Sequence, residues 1–147
     1  MQLVEAGHSA SIRGLTFSAD ESLLASVADD KKLVICSTHS FSRVASRVFP
    51  KKLSCLCFVQ DHVVLTADKF GVVYKTSAEE IEKQGPSEPF GHYGMITDLK
   101  KLGSFVVTSD VDERIRVSHW PETFRIENFL LGHTKFVVSI SLNVEAS

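Results

Sequence analysis

The sequence is poor in the features that announce chemistry. Its 147 residues include only three cysteines, two methionines and one tryptophan. An odd cysteine count does not build a disulfide framework and suits a reducing compartment, cytosol or nucleus. No apolar run approaches the roughly 18 residues of a membrane-spanning helix. The first twenty residues also hold no continuous hydrophobic stretch of the kind a leader peptide needs. The expectation is neither secretion nor membrane insertion. The net charge is −2, so no global basic field advertises nucleic acid. The lysine pairs Lys31-Lys32, Lys51-Lys52 and Lys100-Lys101 are too short for a nuclear-import signal. A phosphate-cradling glycine-rich loop, a GxSxG nucleophile elbow and an RNA-recognition motif are all missing as well.

What the chain does have is a recurring marker. Gly-His occurs at Gly7-His8, Gly91-His92 and Gly132-His133, spaced 84 and 41 residues apart. The repeat is therefore about 42 residues with one marker missing. That length, with Gly-His, is the signature of WD-repeat propeller blades. At 44% hydrophobic and 23% charged residues, the chain can bury a core.

Between the markers, short β-branched runs alternate with turns. Strands are predicted at Ile12–Phe17, Leu23–Ala28 and Lys32–Cys36, then Leu53–Val59, Val63–Ala67 and Val72–Lys75. A third triplet follows at Ile96–Leu99, Phe105–Thr108 and Arg114–Ser118. Less regular runs, Ser42–Phe49 and Phe124–Leu130, supply a fourth strand to two of these groups. "ADDKK" (Ala28–Lys32), "ADKFG" (Ala67–Gly71) and "SDVDER" (Ser109–Arg114) fill the same turn in the three units. Aspartate suits such turns because its carboxylate accepts backbone N–H groups two residues on. The register among these turns is ambiguous by two residues, which leaves the side-chain faces unchanged.

The fold class is thus all-β, a WD-repeat propeller segment with blades at about 7–49, 50–90 and 91–131 and the start of another at 132–147. Met1–Glu5 reads as an outer strand of a preceding blade and Val137–Leu142 as an innermost strand of a following one. Ser77 to Gly85 offers a short helix as a rival, and an irregular outer strand running into "GPSEP" is preferred. Closed propellers need four to eight blades, so the expectation is a segment of a longer propeller or a truncated product.

Three stretches carry more specific wording: "LTADKFGVVY" (Leu65–Tyr74), "FGHYGMITDL" (Phe90–Leu99) and "VTSDVDERIRVSHWPETFRIENFLLGHTKFVVSI" (Val107–Ile140). They resemble the non-catalytic WD-repeat subunit of the eukaryotic tRNA (guanine-N7) methyltransferase over about half the chain. That family has T-A-D-K-x-G-D-V-Y, then L-G-H-x-S-M-L-T-D and D-E-x-I-R-V-S, with serine, as at Ser118, where generic WD repeats place tryptophan. The resemblance implies a scaffold that binds and stabilises the catalytic subunit and so supports N7-methylguanosine formation in tRNA. It implies no cofactor on this chain, with S-adenosylmethionine on the partner only. Contact with tRNA would run mainly through the complex, with no membrane, in the nucleus and possibly the cytoplasm.

By the same resemblance, Lys69 and the turn of Asp110, Val111, Asp112, Glu113 and Arg114 are the candidate partner-binding residues. The family usually has a basic residue at the position of Val111, where it contributes to the contact with the catalytic subunit. Val72 stands where the family has aspartate. Arg114 and Arg116 share strand parity and are expected to face water or the neighbouring blade.

His8, His92 and His133, with Asp30 and Asp68, are assigned to blade architecture. In the third unit the expected set is His92, Thr108 or Ser109, and Asp112. On paper it imitates a Ser-His-Asp triad, but repetition in several blades argues for structure, because an active site is needed once. Cys55 and Cys57 share one face of a strand. A structural zinc needs about four ligands, so both are expected in the core. Trp120-Pro121 is expected to pack over a blade edge. No catalytic or metal-ligating residue is assigned. The competing readings are a general WD-repeat scaffold for chromatin, DNA-repair or ubiquitin complexes, a truncated product with weakened function, and, from the enzyme class, a serine or cysteine hydrolase.

Overall fold

The computed structural model describes residues 7–143, apart from 84 and 86. The described residues form twelve strands and no helix. The first four are β1 (Ile12–Phe17), β2 (Leu23–Ala28), β3 (Lys32–Ser37) and β4 (Arg43–Val48). Next come β5 (Leu53–Gln60), β6 (Val63–Asp68), β7 (Val72–Ser77) and β8 (Ser87–Gly91). The last are β9 (Ile96–Leu102), β10 (Phe105–Asp110), β11 (Arg114–His119) and β12 (Ile126–Leu131). They pair as three four-stranded antiparallel sheets in sequence order. Each sheet is a propeller blade, and the fold class is as expected.

The β-branched runs become strands because they are buried on both faces. The first strand of each blade packs against the blade before it, β5 on β1 and β2, and β9 on β5 and β6. Two apolar clusters result. Leu23, Val27, Leu33, Ile35 and Phe49 meet Leu53, Leu56, Val64 and Tyr74 between the first two blades. Cys55, Cys57, Leu65 and Val73 meet Ile96, Leu99 and Val106 between the second and third. The two outer blade faces have no such cover among the described residues. Ile12, Leu15, Phe17 and Phe41 are exposed on the first, and Phe124, Phe136 and Val138 on the third blade and the segment after it.

Two expected strands differ. Residues 78–83 are turns, not an outer strand or a helix, and the outer strand of the second blade is β8, beyond the loop. Ala78 and Ile81 are drawn into the first core cluster, which breaks the extended run. Val137–Leu142 forms no ladder. It is held on β9 instead: Thr97 Oγ1 donates to the Val137 carbonyl and the Ile140 N–H donates to Asp98 Oδ2 at 2.8 Å. Met1–Glu5 lies outside the described residues.

Candidate protein-interaction site

The turns between the second and third strands of the blades have one geometry. Val27 faces Leu33, Ala67 faces Val73 and Ser109 faces Ile115, so five residues separate the pairs in every blade. The fourth turn residue has positive φ each time: Lys31 at 67°, Gly71 at 92° and Glu113 at 70°. The middle blade demands glycine there. A Cβ on Gly71 would strike the carbonyl of His92 and come within 2.6 Å of that of Gly94, and the Gly71 carbonyl accepts the His92 N–H at 2.8 Å.

This register resolves the sequence ambiguity. Asp68 and Asp110 occupy the first turn position, Asp30 and Asp112 the third. Asp110 is fully buried. Its Oδ1 accepts the N–H groups of Asp112 and Arg114 at 2.9 and 3.0 Å. Its Oδ2 takes His92 Nδ1 at 2.7 Å, and His92 Nε2 lies 2.7 Å from Thr108 Oγ1. The set expected with Asp112 therefore uses Asp110, and Thr108 rather than Ser109, whose hydroxyl bonds Thr97 on the opposite face. Asp110 also leaves the list of partner-binding candidates, since both its oxygens are committed inside the blade.

Burial lowers the His92 pKa, against the opposing pull of Asp110. The ring is therefore neutral at pH 7. A carboxylate only accepts, so Nδ1–H donates to Asp110 and Nε2 accepts from the Thr108 hydroxyl. In the first blade His8 Nδ1 lies 3.1 Å from Asp30 and Nε2 lies 2.9 Å from Ser26 Oγ. The second blade lacks the Gly-His marker and solves the problem differently. Tyr74 donates its hydroxyl to Asp68 Oδ2 at 2.9 Å, while Asp68 Oδ1 accepts the Phe70 and Val72 N–H groups. Phe49 packs on the Tyr74 ring at 5.0 Å between centroids. Thr66 is the counterpart of Ser26 and Thr108, and its buried hydroxyl has no partner among the described residues. His133 is exposed, with no side-chain bond among the described residues.

Thr108 and Ser26 are buried, so neither hydroxyl is presented to a substrate. Each set is a bonded strut between a loop, a strand and a turn. Cys55 and Cys57 lie in the core, as expected. Burial pushes the Cys55 thiol up to about 12 and that of Cys57 higher still, so the reactive thiolate is suppressed. Trp120 packs against the second core cluster with the Lys75 ammonium over its ring. Arg116 faces the neighbouring blade, stacked 5.0 Å from the Phe90 ring and donating to the Gly91 carbonyl.

The outward surface of these turns is where a partner has access. Asp112 and Glu113 are exposed, and Val111 and Arg114 half-buried. The second turn position is Asp29, Lys69 and Val111 in the three blades. Lys69 Nζ lies 3.0 Å from Asp29 Oδ1, and Asp29 also takes the Arg13 guanidinium. These two cations, Arg13 foremost, hold the Asp29 carboxyl well below the usual range. Val111 lines a cleft of about 390 Å³ with Lys69, Met95, Ile96, Phe136 and Val138. Arg13 and Lys69 make part of the lining cationic, Ser54 and Thr97 add hydroxyls, and the other lining residues are apolar. The spacing of β-branched runs located the turns. That Lys69 and Val111 share this cleft was not legible, because Phe136 and Val138 reach it from a segment 25 residues further on.

The family model described as the tRNA methyltransferase TRM82 WD40 domain matches residues 4–89 and 82–147. The tRNA (guanine-N(7)-)-methyltransferase non-catalytic subunit TRM82 of Candida glabrata is 38% identical over 89% of this chain and 36% of its own length. The non-catalytic subunit wdr4 of Dictyostelium discoideum is 35% identical over 92% of this chain and 33% of its own. The chain thus spans about a third of the length of the curated relatives it matches. Among solved structures, U3-55K superposes with a TM-score of 0.78 at 16% identity, covering 94% of this chain and 44% of that one. The computationally designed Ika4 protein gives 0.79 at 22% identity, covering 98% and 88%. At these identities the structural likeness is one of fold.

Proposed function

The chain belongs to the tRNA methyltransferase TRM82 WD40 domain family, and from that premise we propose that it is a docking wall for the catalytic subunit of a tRNA (guanine-N7) methyltransferase. It performs no chemistry itself. S-adenosylmethionine and the methyl transfer belong to the partner, and the complex works on tRNA in the nucleus. The observation that carries this reading is sequence identity of 35–38% to named non-catalytic subunits over about nine-tenths of the chain.

The mechanism is positional. Three blades locked by buried His-Asp and Tyr-Asp struts hold the turn at Asp110–Arg114 and the Lys69 side chain on one rim. A partner that docks on such a preorganised rim loses less freedom when it then binds tRNA. Lys69, Val111, Asp112, Glu113 and Arg114 form the contact, with Val111 seated where a charge-paired residue would strengthen it.

Co-expression with the catalytic subunit and affinity purification of this chain tests the proposal. The expected result is a one-to-one complex that methylates guanine N7 in a tRNA transcript. A folded chain that captures no methyltransferase, or a complex whose rate is unchanged when this chain is removed, would overturn it.

A further inference from the structure

Part of the lining of the cleft beside Val111 belongs to no sheet. Residues 132–143 join no ladder, yet Phe136 and Val138, 58% and 70% exposed, line that cleft while Val137 between them is buried. An extended backbone turns alternate side chains to opposite sides. A segment that seats Val137 on β9 therefore presents both its neighbours to the cleft. Two side chains of β9 seat it. The Thr97 hydroxyl donates to the Val137 carbonyl, and the Ile140 N–H donates to Asp98 Oδ2 at 2.8 Å.

Thr97 also ties this segment to the turn that carries Val111. Its one hydroxyl hydrogen goes to the Val137 carbonyl, so the Ser109 hydroxyl donates to Thr97 Oγ1 at 2.8 Å. Ser109 is fully buried and precedes Asp110, whose Oδ1 holds the turn N–H groups. Asp98 stands differently. Its Oδ1 accepts the Leu99 N–H at 2.8 Å and lies 3.3 Å from Lys100 Nζ. Its side chain is only 14% exposed and does not line the cleft. Asp98 therefore bears on the cleft through the segment it holds.

We propose that Asp98 is a positioning residue for partner docking, pinning residues 136–140 to β9 so that Phe136 and Val138 share one preformed cleft with Val111 before the partner arrives. A segment without a ladder has few bonds to break, so it opens easily once a pin is lost. Docking on a loosened segment must first order it, and that ordering weakens the complex. That the cleft receives the catalytic subunit is the scaffold reading above. That Asp98 holds part of its lining does not depend on it.

The test titrates the methyltransferase catalytic subunit onto the full 147-residue chain and two variants at one position. Asp98→Ala and Asp98→Asn make the same charge change, but only asparagine keeps an oxygen for the Ile140 N–H. The alanine variant is expected to bind about fivefold more weakly and the asparagine variant within about twofold of wild type. In a chain already carrying Phe136→Ala and Val138→Ala, Asp98→Ala should have little further effect, because nothing is left to position. Two readouts need no partner. Exchange of the Ile140 amide and tryptic cleavage after Lys135 should both quicken in the alanine variant and not in the asparagine variant. Should Asp98→Ala fail to fold, Thr97→Val deletes the other pin and Thr97→Ser restores it.

Wild-type affinity in the alanine variant would overturn the proposal. So would equal losses from alanine and asparagine, which would assign the effect to charge. A full loss from Asp98→Ala in the chain without Phe136 and Val138 would show that Asp98 acts by some other route. The scaffold reading fails in a different way. If the folded wild type binds no catalytic subunit while Ile140 exchange still follows the residue at position 98, the segment is held as described and the partner is wrong.

Discussion

The Lys69 ammonium lies 3.0 Å from Asp29 Oδ1, so the second turn position of one blade is tied to the same position of the blade before it. Asp29 thereby restrains a cation of the docking wall. Replacing Asp29 with Asn removes the carboxylate between Arg13 and Lys69 and frees the Lys69 ammonium for an acidic partner. Tighter capture of the catalytic subunit at low salt is expected, with a small change in the urea midpoint because both cations are partly exposed. Binding titrations and urea unfolding on the same variant check the two halves. Weaker capture would mean that Asp29 positions the cations rather than masking them.

Acid sensitivity should be traceable to His92. Burial holds its folded pKa below the ordinary value, so the unfolded chain binds more protons as pH falls. The contribution of this ring to stability is complete above about pH 6.5 and is lost as pH drops from there toward the folded value. Thermal or urea midpoints should fall between about pH 7 and 5. His92→Gln should lower stability at pH 7 and flatten that slope. An unchanged slope in the variant would place the titration elsewhere.

Two threonines at equivalent positions should respond oppositely to the same change. Thr108 bonds His92, whereas the buried Thr66 hydroxyl has no partner among the described residues. Thr108→Val leaves a buried ring nitrogen without its donor and should cost about 1–3 kcal/mol. Thr66→Val removes a hydroxyl already desolvated without return and should be neutral or stabilising. Urea unfolding of the two variants is sufficient. A comparable loss at both sites would show that Thr66 has an unseen water partner.

Tyr74 substitutes for the missing histidine of the second blade. Its hydroxyl is the side-chain donor to Asp68 Oδ2, so Tyr74→Phe keeps the packing against Phe49 and removes that donor. Roughly 1–3 kcal/mol is expected, the cost of a buried acceptor left short. Tyr74→His would retain a donor but open a cavity beside Phe49 and should be worse. Equal stability of wild type and the Phe variant would show that the turn N–H groups alone satisfy Asp68.

The strands were legible because two-sided burial writes itself as continuous β-branched runs, as in Val63–Ala67. The propeller was legible because the Gly-His marker recurs. The turn aspartates were legible as residues but not as partners. Asp110 and Asp112 differ by two positions and so point the same way, and only the pairing of Ser109 with Ile115 shows which one sits under His92. Residues 78–83 mislead because the repeat asks for a fourth strand there, whereas Ala78 and Ile81, three residues apart, are both buried by a turn. The meeting of Arg13 and Lys69 across Asp29 was invisible for another reason. The two cations are 56 positions apart, and only the blade stacking brings them together.

Val111 gives the sharpest test of the docking wall. Its side chain is half-buried in a cleft with Met95 and Phe136 on one side and Lys69 on the other. An arginine there can lay its methylenes along the apolar floor and carry its guanidinium to the rim, so Val111→Arg should fold as well as wild type, within about 0.5 kcal/mol. If the catalytic subunit presents an acidic side chain to this turn, wild type leaves that carboxylate unpaired on docking, at a cost that reaches about 2–5 kcal/mol when it is buried. The arginine variant should then bind at least tenfold tighter, about 1.4 kcal/mol, with most of the gain in dissociation rate. Val111→Asp should weaken the complex by a like-charge contact. Calorimetry or surface-immobilised binding of the three forms decides between two arrangements. Gain with Arg and loss with Asp places the partner's acid against this turn. Loss with both means that the partner seats an apolar side chain among Met95, Val111 and Phe136, and that the valine is the fitted residue rather than a defect.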